Sequence, residues 1–146
     1  MSWFPKKCVV VPIDFSSASD EAIQTAIELA RRPEEVHVVH VALVPDIIPY
    51  AGEVIAPVAP ERWLNLAKTH LDDYLKSRPQ FAGVTSNVVE GDAGDRIAKF
   101  AAEAHADLIV MSSHGYHGVK RFLLGSVTES VLRHSPCEIL VLKRVD

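Results

Sequence analysis

Four short apolar runs recur along the chain, and the segments between them carry apolar residues at helical rather than alternating spacing. The runs are CVVVPID (Cys8 to Asp14), VHVVHVALV (Val36 to Val44), DLIVMS (Asp107 to Ser112) and EILVLK (Glu138 to Lys143). A strand with one wet face alternates apolar and polar residues, whereas these runs stay apolar through consecutive positions, so each needs cover on both faces. VTSNVVE (Val84 to Glu90) reads as a weaker, more polar fifth strand.

Between the strands, Ala22, Ile23, Ala26, Ile27, Leu29 and Ala30 share one helical face, with Asp20 and Glu21 suited to that helix's N-terminus. Trp63, Leu64, Ala67, Leu71, Tyr74 and Leu75 form a second stripe from about Glu61 to Ser77, and Ile97, Phe100, Ala101 and Ala104 a third. A fourth helix is predicted from about Ser126 to His134. Strands alternating with helices require crossover connections and a mostly parallel sheet, so the expected fold is a doubly wound α/β three-layer sandwich, with residues 1–146 as one domain. The segment PDIIPYAGEVIAPVAP (Pro45 to Pro60) interrupts this pattern; its prolines argue against regular structure and its apolar content against plain disorder.

A formal charge of -4 and a pI near 5.9 exclude a protein that grips nucleic acid or an anionic membrane through its whole surface. No stretch reaches the roughly 20 apolar residues of a membrane helix. The start MSWFPKK does not read as a secretory signal, and Cys8 and Cys137 lie in or beside apolar runs, as buried free thiols would. A cytoplasmic protein is expected.

In open α/β sheets ligands bind beyond the carboxyl ends of the strands, where the strand order reverses. Asp14 ends the first run there, and a carboxylate can accept hydrogen bonds from a ribose or an amino group. It could equally open a turn with Ser16 and Ser17. The stretch MSSHGYHGVKRFLLGS (Met111 to Ser126) ends where a helix begins, and a helix start offers unpaired N–H groups to phosphate, with Gly125 leaving room for close approach. On spacing alone SVTE is also a capping box, with Ser126 as N-cap and Glu129 reaching back. No Gly-Lys-Ser/Thr closes the stretch, so it is not a Walker A loop.

Taken together, VVVPIDFS near the start and MSSHGYHGVKRFLLGSVTESVLRHSPCEILVLK near the end resemble the universal stress protein family. Its nucleotide-binding members carry Gly, two residues, Gly, nine residues, Gly, then Ser or Thr. Here Gly115, nine residues and Gly125-Ser126 match, while Ser112 stands at the first glycine position. The resemblance implies a five-stranded sheet in the order 3-2-1-4-5, with ATP, and Mg²⁺ with it, between the ends of strands one and four. Asp14 and backbone near Val41 would hold the adenosine, and Gly115, Gly125, Ser126 and Thr128 the phosphates. The neighbouring Pro12, Ile13, Met111, Ser112, His114 and Val127 complete the implied lining.

Catalytic machinery is sparse. His114 and His117 show no third ligand for a metal site, and Lys120 and Arg121 read as loop charges that a bound anion could recruit. His37 and His40 are an odd number apart on a strand, so they face opposite ways and form no joint site. No nucleophile with an adjacent base is evident, so hydrolysis, if any, is expected to be very slow. Three functions follow as alternatives: a cytoplasmic ATP-binding homodimer acting in the stress response, a nucleotide-free dimeric scaffold of the same fold, and a slow ATPase. The homodimer is expected along the last strand, Ile139, Leu140, Val141 and Leu142, which the 3-2-1-4-5 order places at a sheet edge that the short remaining tail would leave uncovered.

Overall fold

The computed structural model describes residues 3–43, 48–50, 53–55, 59–113 and 125–143. Five strands form one parallel sheet: β1 (Val9–Pro12), β2 (Val36–Ala42), β5 (Thr85–Glu90), β6 (Leu108–Ser112) and β7 (Ile139–Leu142). Across the sheet they run β5-β2-β1-β6-β7, which is the expected 3-2-1-4-5 order. Two further strands, β3 (Ile48–Tyr50) and β4 (Glu53–Ile55), pair antiparallel apart from this sheet. Regular structure therefore reaches into the proline-rich segment, against expectation. An isolated two-strand ribbon has no interior strand, so the N–H that Pro49 lacks matters least there.

The unbroken apolar runs are explained by cover on both faces. Val9, Val11, Val36, Val38, Leu108 and Val110 face one way, onto Ala22, Ile23 and Ala26 of α1 (Ser17–Leu29) and Leu71 of α2 (Pro60–Lys76). The intervening Val10, Val39, Ile109 and Met111 face the other way, onto Ile97 and Ala101 of α3 (Ala93–Glu103) and Val131 of α4 (Ser126–His134). Val9, Val10, Val11, Val36, Val38, Val39, Ile109 and Val110 have no exposed surface. Each such side chain stabilises the fold by roughly 1.5–3 kcal/mol relative to exposure. His37 and His40 do part to opposite faces: His37 lies near Phe100 of α3, and His40 packs on Phe15. Burial pushes the His37 imidazole below its usual range.

Two helices start earlier than the apolar stripes suggested, while α2 and α4 lie within a residue of their expected bounds. α1 begins at Ser17 with Ser16 as N-cap, and α3 begins at Ala93 with the Asp92 side chain accepting from the Asp95 N–H at 3.1 Å. α1 is pinned to α2 and to the turn after it through Asp20, which receives the Tyr74 hydroxyl of α2 and the Arg78 guanidinium just beyond, the latter at 2.8 Å. Burial, and then that bond to Asp20, pushes the Tyr74 hydroxyl upward.

The two sheet edges differ. On β5 the Ser86 carbonyl accepts from the Lys68 ammonium at 3.1 Å, and the Ser86 hydroxyl donates to Asp72 at 2.6 Å. On β7 all four residues are aliphatic and half-buried. Cys8 and Cys137 are free and half-buried rather than fully buried, and burial pushes both thiols upward. Among the described residues no helix is long and apolar enough to cross a membrane.

Candidate functional site

The strand order reverses between β1 and β6, and the carboxyl ends of the strands open there into a cleft of about 560 Å³, counting its mouth. Its enclosed part is about 120 Å³, smaller than the roughly 300 to 1,000 Å³ of small-molecule clefts. Pro12, Ile13 and Asp14 come from the end of β1, Val39, His40 and Val41 from β2, Met111 and Ser112 from β6, Ala93 and Ile97 from α3, and Val127 from α4. The lining is mainly apolar with polar groups at the rim, as suits a flat ring system carrying polar substituents.

Asp14 is exposed at the rim, just past the last residue of β1. Its Oδ1 accepts the Ser16 N–H at 3.0 Å and the Ser19 hydroxyl at 3.1 Å. The turn reading of Asp14 is thus correct for Ser16, but the second serine is Ser19 and not Ser17. The His40 ring nitrogen Nδ1 lies 3.1 Å from the Ile13 carbonyl and ties β2 to the end of β1 beneath the rim.

At the other end of the cleft, α4 starts differently from the capping-box reading. Gly125 is the N-cap, at φ -61° and ψ 155°, and Ser126 is the first helical residue with no side-chain cap bond. Glu129 does not reach back; its carboxylate pairs with Arg133 one turn on at 2.7 Å. Thr128 is fully buried, and its hydroxyl donates to the Ser112 carbonyl at 3.4 Å, fastening the first turn of α4 to the end of β6.

Of the residues singled out in the sequence, the cleft brings together Pro12, Ile13, Asp14, Val41, Met111, Ser112 and Val127. Gly125, Ser126 and Thr128 flank Val127 at the helix start without lining it. His114, Gly115, His117, Lys120 and Arg121 lie outside the described residues. Val39 and His40 on β2 were missed, as were Ala93 and Ile97 on α3. The signal for the α3 pair was Asp92 in GDAGD, an N-cap that moves the start of α3 to the cleft.

A parallel, doubly wound α/β domain with an apolar cleft at its switch point belongs to the class that receives small ligands at the strand ends. Residues 6–143 match the universal stress protein family, and the chain belongs to it. A universal stress protein of Methanocaldococcus jannaschii is 34% identical over 144 residues, covering 94% of this chain and 82% of that one. Among solved structures, the hypothetical protein MJ0577 superposes with a TM-score of 0.68 at 27% identity, over 96% of this chain and 97% of that one. A universal stress protein from Archaeoglobus fulgidus, solved in complex with dAMP, shares the fold with a TM-score of 0.61 at 23% identity, over 94% and 98% of the two chains.

Proposed function

We propose that this domain binds ATP or a close adenine nucleotide and acts as a cytoplasmic, homodimeric stress-response module whose loaded state other proteins read. The observation that carries the reading is the cleft itself: a carboxylate at its β1 rim and the start of α4 at its β6 rim, with an apolar floor between them. Asp14 accepts from the ribose, the base lies against Val41 and Met111, and the phosphates approach Gly125, Ser126 and the N–H groups of the α4 start. The fold-mate that holds dAMP supports the base class.

Magnesium fits as a companion of the phosphates. Among the described residues no three His, Cys, Asp or Glu side chains come together as a metal site, so the ion would arrive on the nucleotide's own oxygens. Its contribution is to neutralise phosphate charge. The protein's residues bind and orient the nucleotide, and any hydrolysis is very slow.

Calorimetry on nucleotide-stripped protein with ATP and Mg²⁺ tests the reading. A single saturable site is expected, together with adenine nucleotide in an acid extract of the freshly purified protein. No heat and no thermal shift at millimolar ATP would leave the nucleotide-free scaffold as the function.

Dimerisation is proposed through β7, a sheet edge that pairs with β6 alone among the described strands. Ile139, Leu140, Val141 and Leu142 carry no charge or proline to blunt pairing, so a second copy can meet them antiparallel about a two-fold axis. Sedimentation equilibrium across micromolar concentrations is expected to give the dimer mass, and Val141→Pro to shift it toward monomer. A monomer mass throughout would refute the pairing, and an undisturbed dimer in the variant would place the interface elsewhere.

A further inference from the structure

An exposed aspartate two residues past a strand would ordinarily sample several rotamers, since water satisfies it in any of them. Asp14 is held instead. Ser19 lies in the first turn of α1 and is only 3% exposed, so its hydroxyl has little access to water. That hydroxyl accepts the Asp14 N–H at 3.3 Å and donates to Asp14 Oδ1 at 3.1 Å, gripping backbone and carboxylate of one residue together. A serine hydroxyl has a single proton, and this one is committed to the carboxylate.

The grip requires the chain to fold back within five residues, and Phe15 makes the turn. Its φ is 64°, in the left-handed region that bulky side chains avoid and that persists only where the surroundings over-determine it. The surroundings here are three rings: His40 at 4.7 Å, His70 at 4.5 Å and Tyr74 at 5.2 Å from the Phe15 ring centre. Asp14 therefore stands at the cleft rim on a strained, braced turn with its carboxylate tethered from inside the helix.

We propose that Ser19 is a positioning residue for the ligand's sugar: it fixes the Asp14 carboxylate in the orientation that accepts the ribose hydroxyls, and so makes the cleft prefer ribonucleotides to sugars lacking those hydroxyls. The inference rests on the adenine-nucleotide reading above and deepens it. Pre-organisation of the acceptor is the physical source of the effect, because a carboxylate already held spends no rotamer freedom when the hydroxyl arrives.

The test compares ATP with 2′,3′-dideoxy-ATP by calorimetry on wild type, Ser19→Ala, Asp14→Ala and the double variant, with thermal melts confirming that each is folded. Ser19→Ala is expected to weaken ATP about five- to tenfold and the dideoxy analogue less than twofold, and to add nothing in the Asp14→Ala background. Equal losses on both ligands, or additive losses in the double variant, would overturn the proposal. The χ1 scalar couplings of Asp14 in ligand-free protein supply a readout independent of nucleotide: one rotamer in wild type, averaging in Ser19→Ala. Unchanged couplings would overturn the positioning role by themselves. Changed couplings in Ser19→Ala together with no ATP binding by the wild type would defeat the nucleotide reading and the sugar preference while retaining the tether.

Discussion

Gly125→Leu is expected to lower ATP affinity at least about a hundredfold, equivalent to about 2.7 kcal/mol, while leaving the protein folded. The two halves of this result have separate causes. Gly125 sits at φ -61° and ψ 155°, a conformation open to any residue, so the backbone of the α4 start tolerates a side chain there. Leucine is a poor N-cap, which costs about 1 kcal/mol of stability and no more. Its four-carbon branch, however, projects at the helix start that is proposed to receive the phosphates, where close approach of an anion to backbone N–H groups needs a bare Cα. Calorimetry and a urea melt on the same preparation check the prediction. Wild-type affinity in a folded variant would show that the phosphates bind away from α4.

Gly94→Leu is expected to act in the opposite proportion, lowering stability by about 3 kcal/mol, or about 10 °C in thermal midpoint for a chain of this length. A Cβ on Gly94 would lie 2.3 Å from the Ser130 hydroxyl oxygen and 2.5 Å from the Ser130 Cβ. The hydroxyl could rotate away, but the Cβ is fixed to the backbone of α4, so the two helices must separate. Ala93 and Ile97 on α3 and Val127 on α4 all line the cleft, and nucleotide affinity is expected to fall with stability. An unchanged urea midpoint would show that α3 and α4 can slip past one another at no cost.

The sheet was legible because burial on both faces leaves a signature that no half-exposed strand can produce, as Val9, Val10 and Val11 illustrate by alternating between two cores without a polar residue among them. The starts of α1 and α3 were less legible. They are set by caps, and Asp92 and Ser16 lie outside the apolar stripes that marked the helices. SVTE misled for a related reason: a capping box needs Ser126 outside the helix, but Gly125 takes the cap position, while the Thr128 hydroxyl is drawn to Ser112 and the Glu129 carboxylate to Arg133. Ser19 could have been found. It falls on the same helical face as Ala22, Ile23 and Ala26, and a serine on a buried stripe needs a partner nearby in sequence or space. The left-handed turn at Phe15 left no trace in residue type, because the rings that hold it arrive from β2 and α2, far along the chain.

The unlike edges of the sheet set how many copies can join through it. An encounter that used β5 would first have to strip the Lys68 ammonium from the Ser86 carbonyl and break the Ser86 bond to Asp72. Among the described residues no such groups cover β7, so on the proposed pairing the sheet would have one usable valence rather than two. A building block with one valence can close into a pair but cannot propagate, and a rise in cellular concentration would fill pairs without seeding a continuous ribbon of sheets.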